Sequence, residues 1–247
     1  MVNRRYRFLM ALGVSCMVLT AFGFTAHGEE TGPGMKKNGS RASGIEIERL
    51  AAARDTDQVI VVVGSGADSS KVQVAYFRQD QDAAWQEEFY VSGYCGYNGM
   101  SSEKREGDRK TPIGTFAFTS AFGIKSNPGS ILVYKELDTH DYWVDDSSSR
   151  YYNQLVSTKA TPVGWNSAEH LMAVNPCYNY SLALNYNEAC VPGMGSAIFL
   201  HGLHPTKTWT EGCVAIPEEY VMQLIRQADA ETKIVIIPDE ESLEYIS

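Results

Sequence analysis

Ser196-Ala-Ile-Phe-Leu-His201-Gly-Leu-His204-Pro-Thr-Lys-Thr-Trp-Thr210-Glu-Gly-Cys213-Val-Ala-Ile-Pro217 is the stretch on which the reading of this chain turns. Ala197–His201 is an apolar run that reads as a strand delivering a histidine to its end. A loop follows, then Gly212 before Cys213, and a helix begins just beyond. The nucleophilic form of cysteine is the thiolate, so a reactive cysteine needs a base or a cation beside it. His201 from a neighbouring strand end can serve. Gly212 lets the backbone turn tightly, so that amides around Cys213 face a developing oxyanion. A helix N-terminus pointed at the thiol would add a favourable field for negative charge.

Downstream, Pro217–Ala228 predicts the one clear helix. Pro217 suits its first turn, Glu218 and Glu219 oppose the dipole, and Val221, Leu224 and Ile225 form the apolar stripe. Thr232–Ile237 reads as a buried closing strand. Upstream, Gln58–Val63 and Lys71–Phe77 are β-branched runs around Gly64-Ser65-Gly66, the pattern of a hairpin. Glu88–Tyr94, Gly114–Thr119, Ile131–Tyr134 and Leu182–Asn185 are further strand candidates. The expected architecture is mainly β, a sandwich or barrel with a short helix after the cysteine. No internal repeat appears.

The N-terminus carries Arg4, Arg5 and Arg7 before an uncharged run from Phe8 to Ala26, with small residues placed for cleavage before Glu29. Residues 1–28 therefore read as a signal peptide or a membrane anchor. Residues 29–57, rich in Gly, Ser, Lys and Glu, read as a spacer, with a short helix over Ile45–Arg54. Residues 58–238 form the catalytic domain and 239–247 a tail. Cys16 reads as a passenger in the apolar run. Export places the protein outside the cytoplasm: secreted, in the wall, or held at the membrane. Thirty acidic against 21 basic residues give a net charge of −9, which argues against nucleic acid as partner.

The segment Thr210-Glu-Gly-Cys213, behind His201, resembles the Ser/Thr-x-Gly-Cys signature of the L,D-transpeptidase catalytic domain (YkuD type). Glu106-Gly-Asp-Arg-Lys-Thr-Pro-Ile-Gly-Thr-Phe116 is similar to the family's Thr-Pro-x-Gly-x-Phe segment. Asp141–Asp146, Tyr151–Gln154 and Gly195–His201 resemble its Firmicute-like branch. The likeness runs from about Val59 to Pro238. It implies an exported enzyme of peptidoglycan stem peptides with no metal and no organic cofactor. In such an enzyme Cys213 forms a thioester with a tetrapeptide stem, expelling the terminal D-Ala, and a neighbouring stem amine resolves it. His201 moves the protons, oriented by a backbone carbonyl, and Gly212 lies in the oxyanion region. Thr210, Glu211, His204 and Trp143 are candidates for the substrate side. Many members carry His before the Gly-Cys and Arg two residues after the Cys; here these are Glu211 and Ala215. A Glu211 side chain facing the thiol would raise its pKa.

Rival readings keep the same residues. Water in place of the acceptor amine makes an L,D-carboxypeptidase, and loss of chemistry leaves a wall-binding module. His201, His204 and Cys213 as zinc ligands would make a metallopeptidase. Cys177 and Cys190 flank a strand-like segment, and both a disulfide and two free thiols are consistent with the sequence. Cys95 is expected to be buried. His140 and His170 suit local hydrogen bonds, and Tyr142, Trp143, Tyr151 and Tyr152 suit packing more than a substrate platform. Asp108 and Arg109 suit a turn.

Overall fold

A computed structural model describes residues 42–245, so the segment expected as signal or anchor (1–28) and most of the spacer lie outside the described residues. β1 (Gln58–Gly64) is apolar along its length because both of its faces are buried. Val59, Val61 and Val63 pack under the turns Ile47–Arg49 and Ala51–Arg54, and Ile60 and Val62 face the opposite core. The Ile45–Arg54 helix of the sequence reading is thus two short 3-10 turns.

β1 pairs antiparallel with β2 (Lys71–Gln79), the expected hairpin, and β2 with β3 (Trp85–Tyr94). Two short strands follow, β4 (Met100–Ser101) and β5 (Thr111–Pro112), paired with each other. β6 (Gly114–Gly123) and β7 (Tyr134–Glu136) come next. A separate sheet is made of β8 (Asp141–Val144), β9 (Leu155–Ser157) and β10 (Ala168–His170), with β8 in its middle. The chain then returns to the main sheet through β11 (Ser181–Leu184), β12 (Phe199–Gly202), β13 (Val214–Ile216), α1 (Glu218–Gln227) and β14 (Lys233–Ile237).

The main sheet runs β11-β12-β13-β3-β2-β1-β14-β6-β7, and β11 also pairs with β6, which closes it into a ring. Closure removes the exposed edges that an open sheet would leave. The joint between β13 and β3 is slight, a single registered pair of Ala215 opposite Tyr94. Leu182, Leu200, Val214, Ile216, Ile234 and Ile236 point inside, and Val221, Leu224 and Ile225 of α1 join the same core. Each such aliphatic side chain contributes roughly 1.5–3 kcal/mol by leaving water.

Alternation along the strands sends the other residues outward. Ala183, Phe199 and Cys213 meet Phe122, Leu171 and Tyr178 in a separate cluster, against which Trp143 of the small sheet packs. The candidate nucleophile therefore stands on the outer face of the ring, under a second layer.

Two expected elements change their bounds, and the pairing left open for Cys177 and Cys190 is resolved. The strand expected over Ile131–Tyr134 begins only at Tyr134. Ile131 and Val133 are exposed, 62% and 80%, because Asn127 Oδ1 accepts from Gly129 and Ser130 N–H and holds the approach as a turn. The helix spans Glu218–Gln227, with Pro217 as the extended residue before it. Cys177 and Cys190 are free thiols, while Cys95 is free and buried.

Candidate active site

β12 and β13 are parallel neighbours, with His201 opposite Ala215 and Leu200 opposite Val214. That register brings the turn before β13 level with Phe199. The Phe199 N–H donates to Cys213 Sγ at 3.3 Å, and the Cys213 thiol donates to the Ala197 carbonyl at 3.2 Å. Ala197 holds that carbonyl in place at a left-handed φ of 54°. Its amide donates to Asn153 Oδ1 at 3.1 Å, which also accepts from Trp143 Nε1 at 3.0 Å. Trp143 thus supports the residue beneath the sulfur and does not line the cleft.

The turn itself is fastened by two hydroxyls. Thr210 Oγ1 accepts from the Gly212 N–H (3.1 Å) and donates to the Cys213 carbonyl (2.7 Å). Thr111 Oγ1 donates to the Gly212 carbonyl at 2.8 Å and accepts from the Gly96 N–H at 2.9 Å. Gly212 sits at φ +145°, where a Cβ would lie 3.0 Å from the Lys110 carbonyl oxygen, so the turn requires glycine. Its N–H is committed to Thr210. The helix does not border the thiol, since the three residues of β13 intervene at about 3.3 Å each. The first-turn Glu218 bonds Lys125 and Asn179.

His201 and Cys213 are each only 7% exposed and line one cleft of about 440 Å³. His201 Nδ1 donates to the Gly202 carbonyl at 2.8 Å, which leaves Nε2 as the basic nitrogen. Burial drives the imidazole down to about 4. Burial also pushes the Cys213 thiol up to about 12, and the charge of Glu169 adds to that rise. The Phe199 amide, Lys104 and the Tyr178 hydroxyl pull in the opposite direction. The expectation that a neighbouring base lowers the thiol pKa is not met here, because desolvation outweighs every favourable contact. Both groups are neutral near pH 7.

Glu169, which the sequence reading passed over, is the carboxylate nearest in effect to the sulfur. Its Oε1 accepts from Tyr178 Oη at 3.0 Å, and the Tyr178 ring lies edge-on to His201 with centroids 5.2 Å apart. Burial raises the Glu169 carboxyl to about 7. Glu169 lies on a three-residue strand with no periodicity to mark it. Tyr178 lies in a 3-10 turn. Lys104 is a buried ammonium held at 2.9 Å by Asp108, in the turn of the Glu106–Phe116 segment. Glu106 also reaches the cleft, where its Oε2 accepts from Ser196 Oγ (2.8 Å) and from Tyr152 Oη.

Glu211 lines the cleft but ion-pairs with Arg109 at 2.9 Å, an exposed contact worth little energetically. His204 lines it too, with Nδ1 accepting the Thr206 and Lys207 amides at 3.1 and 3.0 Å. His140 bonds Thr158, and His170 bonds the Thr139 carbonyl and stacks on Tyr142. Among the described residues no group of three or more His, Cys, Asp or Glu side chains is placed to hold a metal.

The sequence model of the family described as YkuD, L,D-transpeptidase catalytic domain, matches residues 57–236. Among solved structures the chain is similar to the Ldtfm–avibactam carbamoyl enzyme, at 10% identity and a TM-score of 0.36. It is similar also to a mutant of an Enterococcus faecium L,D-transpeptidase, at 12% identity and 0.36. The alignments cover 74% of this chain and 49% and 50% of those, so the chain spans about half the length of the structures it matches. No curated protein matches.

Proposed function

The chain belongs to the family of L,D-transpeptidase catalytic domains (YkuD), and from that premise we propose that it is an exported enzyme cross-linking peptidoglycan stem peptides through a thioester on Cys213. The observation that carries the proposal is the pairing, in one buried cleft, of a thiol with a histidine whose Nδ1 is fixed on a carbonyl. Transpeptidation needs a nucleophile, a group to shuttle one proton, and donors for the oxyanion.

As the Cys213 sulfur attacks the carbonyl of the third stem residue, its proton passes to His201 Nε2. Because the resting pair is neutral, this transfer accompanies attack and does not precede it. The amide of Cys213 serves the oxyanion, since that of Gly212 is occupied by Thr210. Collapse breaks the peptide bond, and the departing D-Ala amine takes the proton from His201. An amine from a second stem then attacks the thioester, gives its proton to His201, and the thiol is restored. Gly202 orients the imidazole throughout.

Mass spectrometry of products from a disaccharide-tetrapeptide tests the reading. A dimer lacking one D-Ala, absent with Cys213→Ala, is the expected result. A trimmed monomer that depends on Cys213 would make water the acceptor and the enzyme an L,D-carboxypeptidase. No Cys213-dependent product would leave a wall-binding module.

A further inference from the structure

Charge is unevenly placed around the cleft. Glu106, Asp145, Glu169 and Glu211 line it, and Lys207 is its one lysine or arginine among the described residues. Lys104 and Arg109, the cations nearby, are already paired with Asp108 and Glu211. No carboxylate pairs with Lys207 among the described residues, and its Nζ lies 4.9 Å from the centre of the Trp209 ring. Trp209 is a lining residue too, and its ring limits where the ammonium can wander. The charge is felt inside the cleft, where burial raises the Cys177 thiol and Lys207 opposes that rise.

Three residues earlier in the chain, His204 supplies a second donor. Its Nδ1 accepts two backbone amides and so cannot carry the proton, which leaves the hydrogen on Nε2. A neutral N–H donor and an unpaired ammonium therefore share the loop between His201 and Cys213. Ala215, two residues after the nucleophile, offers no charge of its own.

We propose that Lys207 and His204 form an anion subsite in the cleft that takes the free C-terminal carboxylate of the acyl-donor peptide. The assignment rests on the transpeptidase reading and adds the polarity of substrate entry. The donor's carboxylate lies along the 203–209 loop. A peptide ending in a carboxamide lacks the recognised charge. Charge-assisted hydrogen bonds at a partly exposed site give a preference of about five- to tenfold, weakening as salt screens them.

Calorimetry with the Cys213→Ala protein tests the subsite without turnover, using one stem tetrapeptide as the free acid and as the C-terminal carboxamide. The acid form binds about five- to tenfold more tightly. Lys207→Ala removes the difference, Lys207→Arg keeps it, and Lys207→Glu reverses it. Equal affinity for the two forms, a preference untouched by Lys207→Ala, or no binding of either peptide would overturn the subsite. The transpeptidase reading is judged separately, by whether the unmodified enzyme makes any Cys213-dependent product. A protein that makes product yet ignores the carboxylate refutes the subsite alone.

Discussion

At Cys213 the side chain is poised by burial more than by charge. A thiol near 12 beside an imidazole near 4 places the proton on sulfur at rest. Activity should therefore persist well below pH 6 and fall only as His201 protonates, near pH 4. A kcat/KM profile whose acid limb lies near the ordinary histidine value of about 6.5 would contradict this ordering. Glu169 supplies a second test. Its negative charge raises the thiol pKa, and it carries that charge only above about pH 7. Glu169→Gln should speed alkylation of Cys213 by iodoacetamide at pH 8 and change it little at pH 5. The sign for stability follows. A carboxyl whose pKa is raised on folding favours the folded state below its unfolded value, about 4.3, and that benefit is lost as pH rises through 7. Glu169→Gln should accordingly raise Tm at pH 8 and leave it nearly unchanged at pH 4. The sequence displayed Cys213 and His201 openly, because a Gly-Cys after a strand-borne histidine is a local pattern. Glu169 and Tyr178 were not legible, since only tertiary packing carries them to the sulfur.

The element that makes the site is the turn Thr210–Cys213 between β12 and β13. Its hydroxyl bridges the ends of the turn, accepting from Gly212 and donating to Cys213. That explains why the signature admits serine or threonine at this place. Thr210→Val removes a buried donor and acceptor and should cost about 1–3 kcal/mol together with most of the activity, whereas Thr210→Ser should retain both. Denaturant titration and initial rates on the two variants decide it, and equal behaviour would refute the bridge. Thr111 braces the same turn from a segment whose likeness to the family was plain but whose role was not. Glu211 and Trp143, grouped with the substrate side on sequence grounds, have other partners here, Arg109 and Asn153. Helix and strand boundaries moved by up to four residues, the most at β6, which runs on from Thr119 to Gly123, while an Asx turn at Asn127 overrode the β-branched run at Ile131–Val133.

Over the whole molecule the apolar alternation separates two tasks. One face of β11, β12 and β13 packs inside the ring with α1, and the other carries Phe199, His201 and Cys213 beneath the small sheet. A cavity in the inner core should weaken the fold while sparing the chemistry. Leu224→Ala, at a fully buried position, should cost about 2–5 kcal/mol and lower Tm, with kcat retained at 25 °C. A mainly β fold with one late helix was legible from strand runs and turn residues. Closure of the ring was not, because β11 meets β6 across some sixty residues of sequence and no local signal records it.

The central claim is a covalent bond to one sulfur, and intact-protein mass spectrometry reads it directly. Incubated with donor tetrapeptide and no acceptor amine, the protein should gain the mass of the donor less D-Ala, and digestion should place the adduct on Cys213. Cys213→Ala should show none. Product formed without such an adduct under rapid quenching, or an adduct on Cys177 or Cys95 that survives Cys213→Ala, would contradict the account.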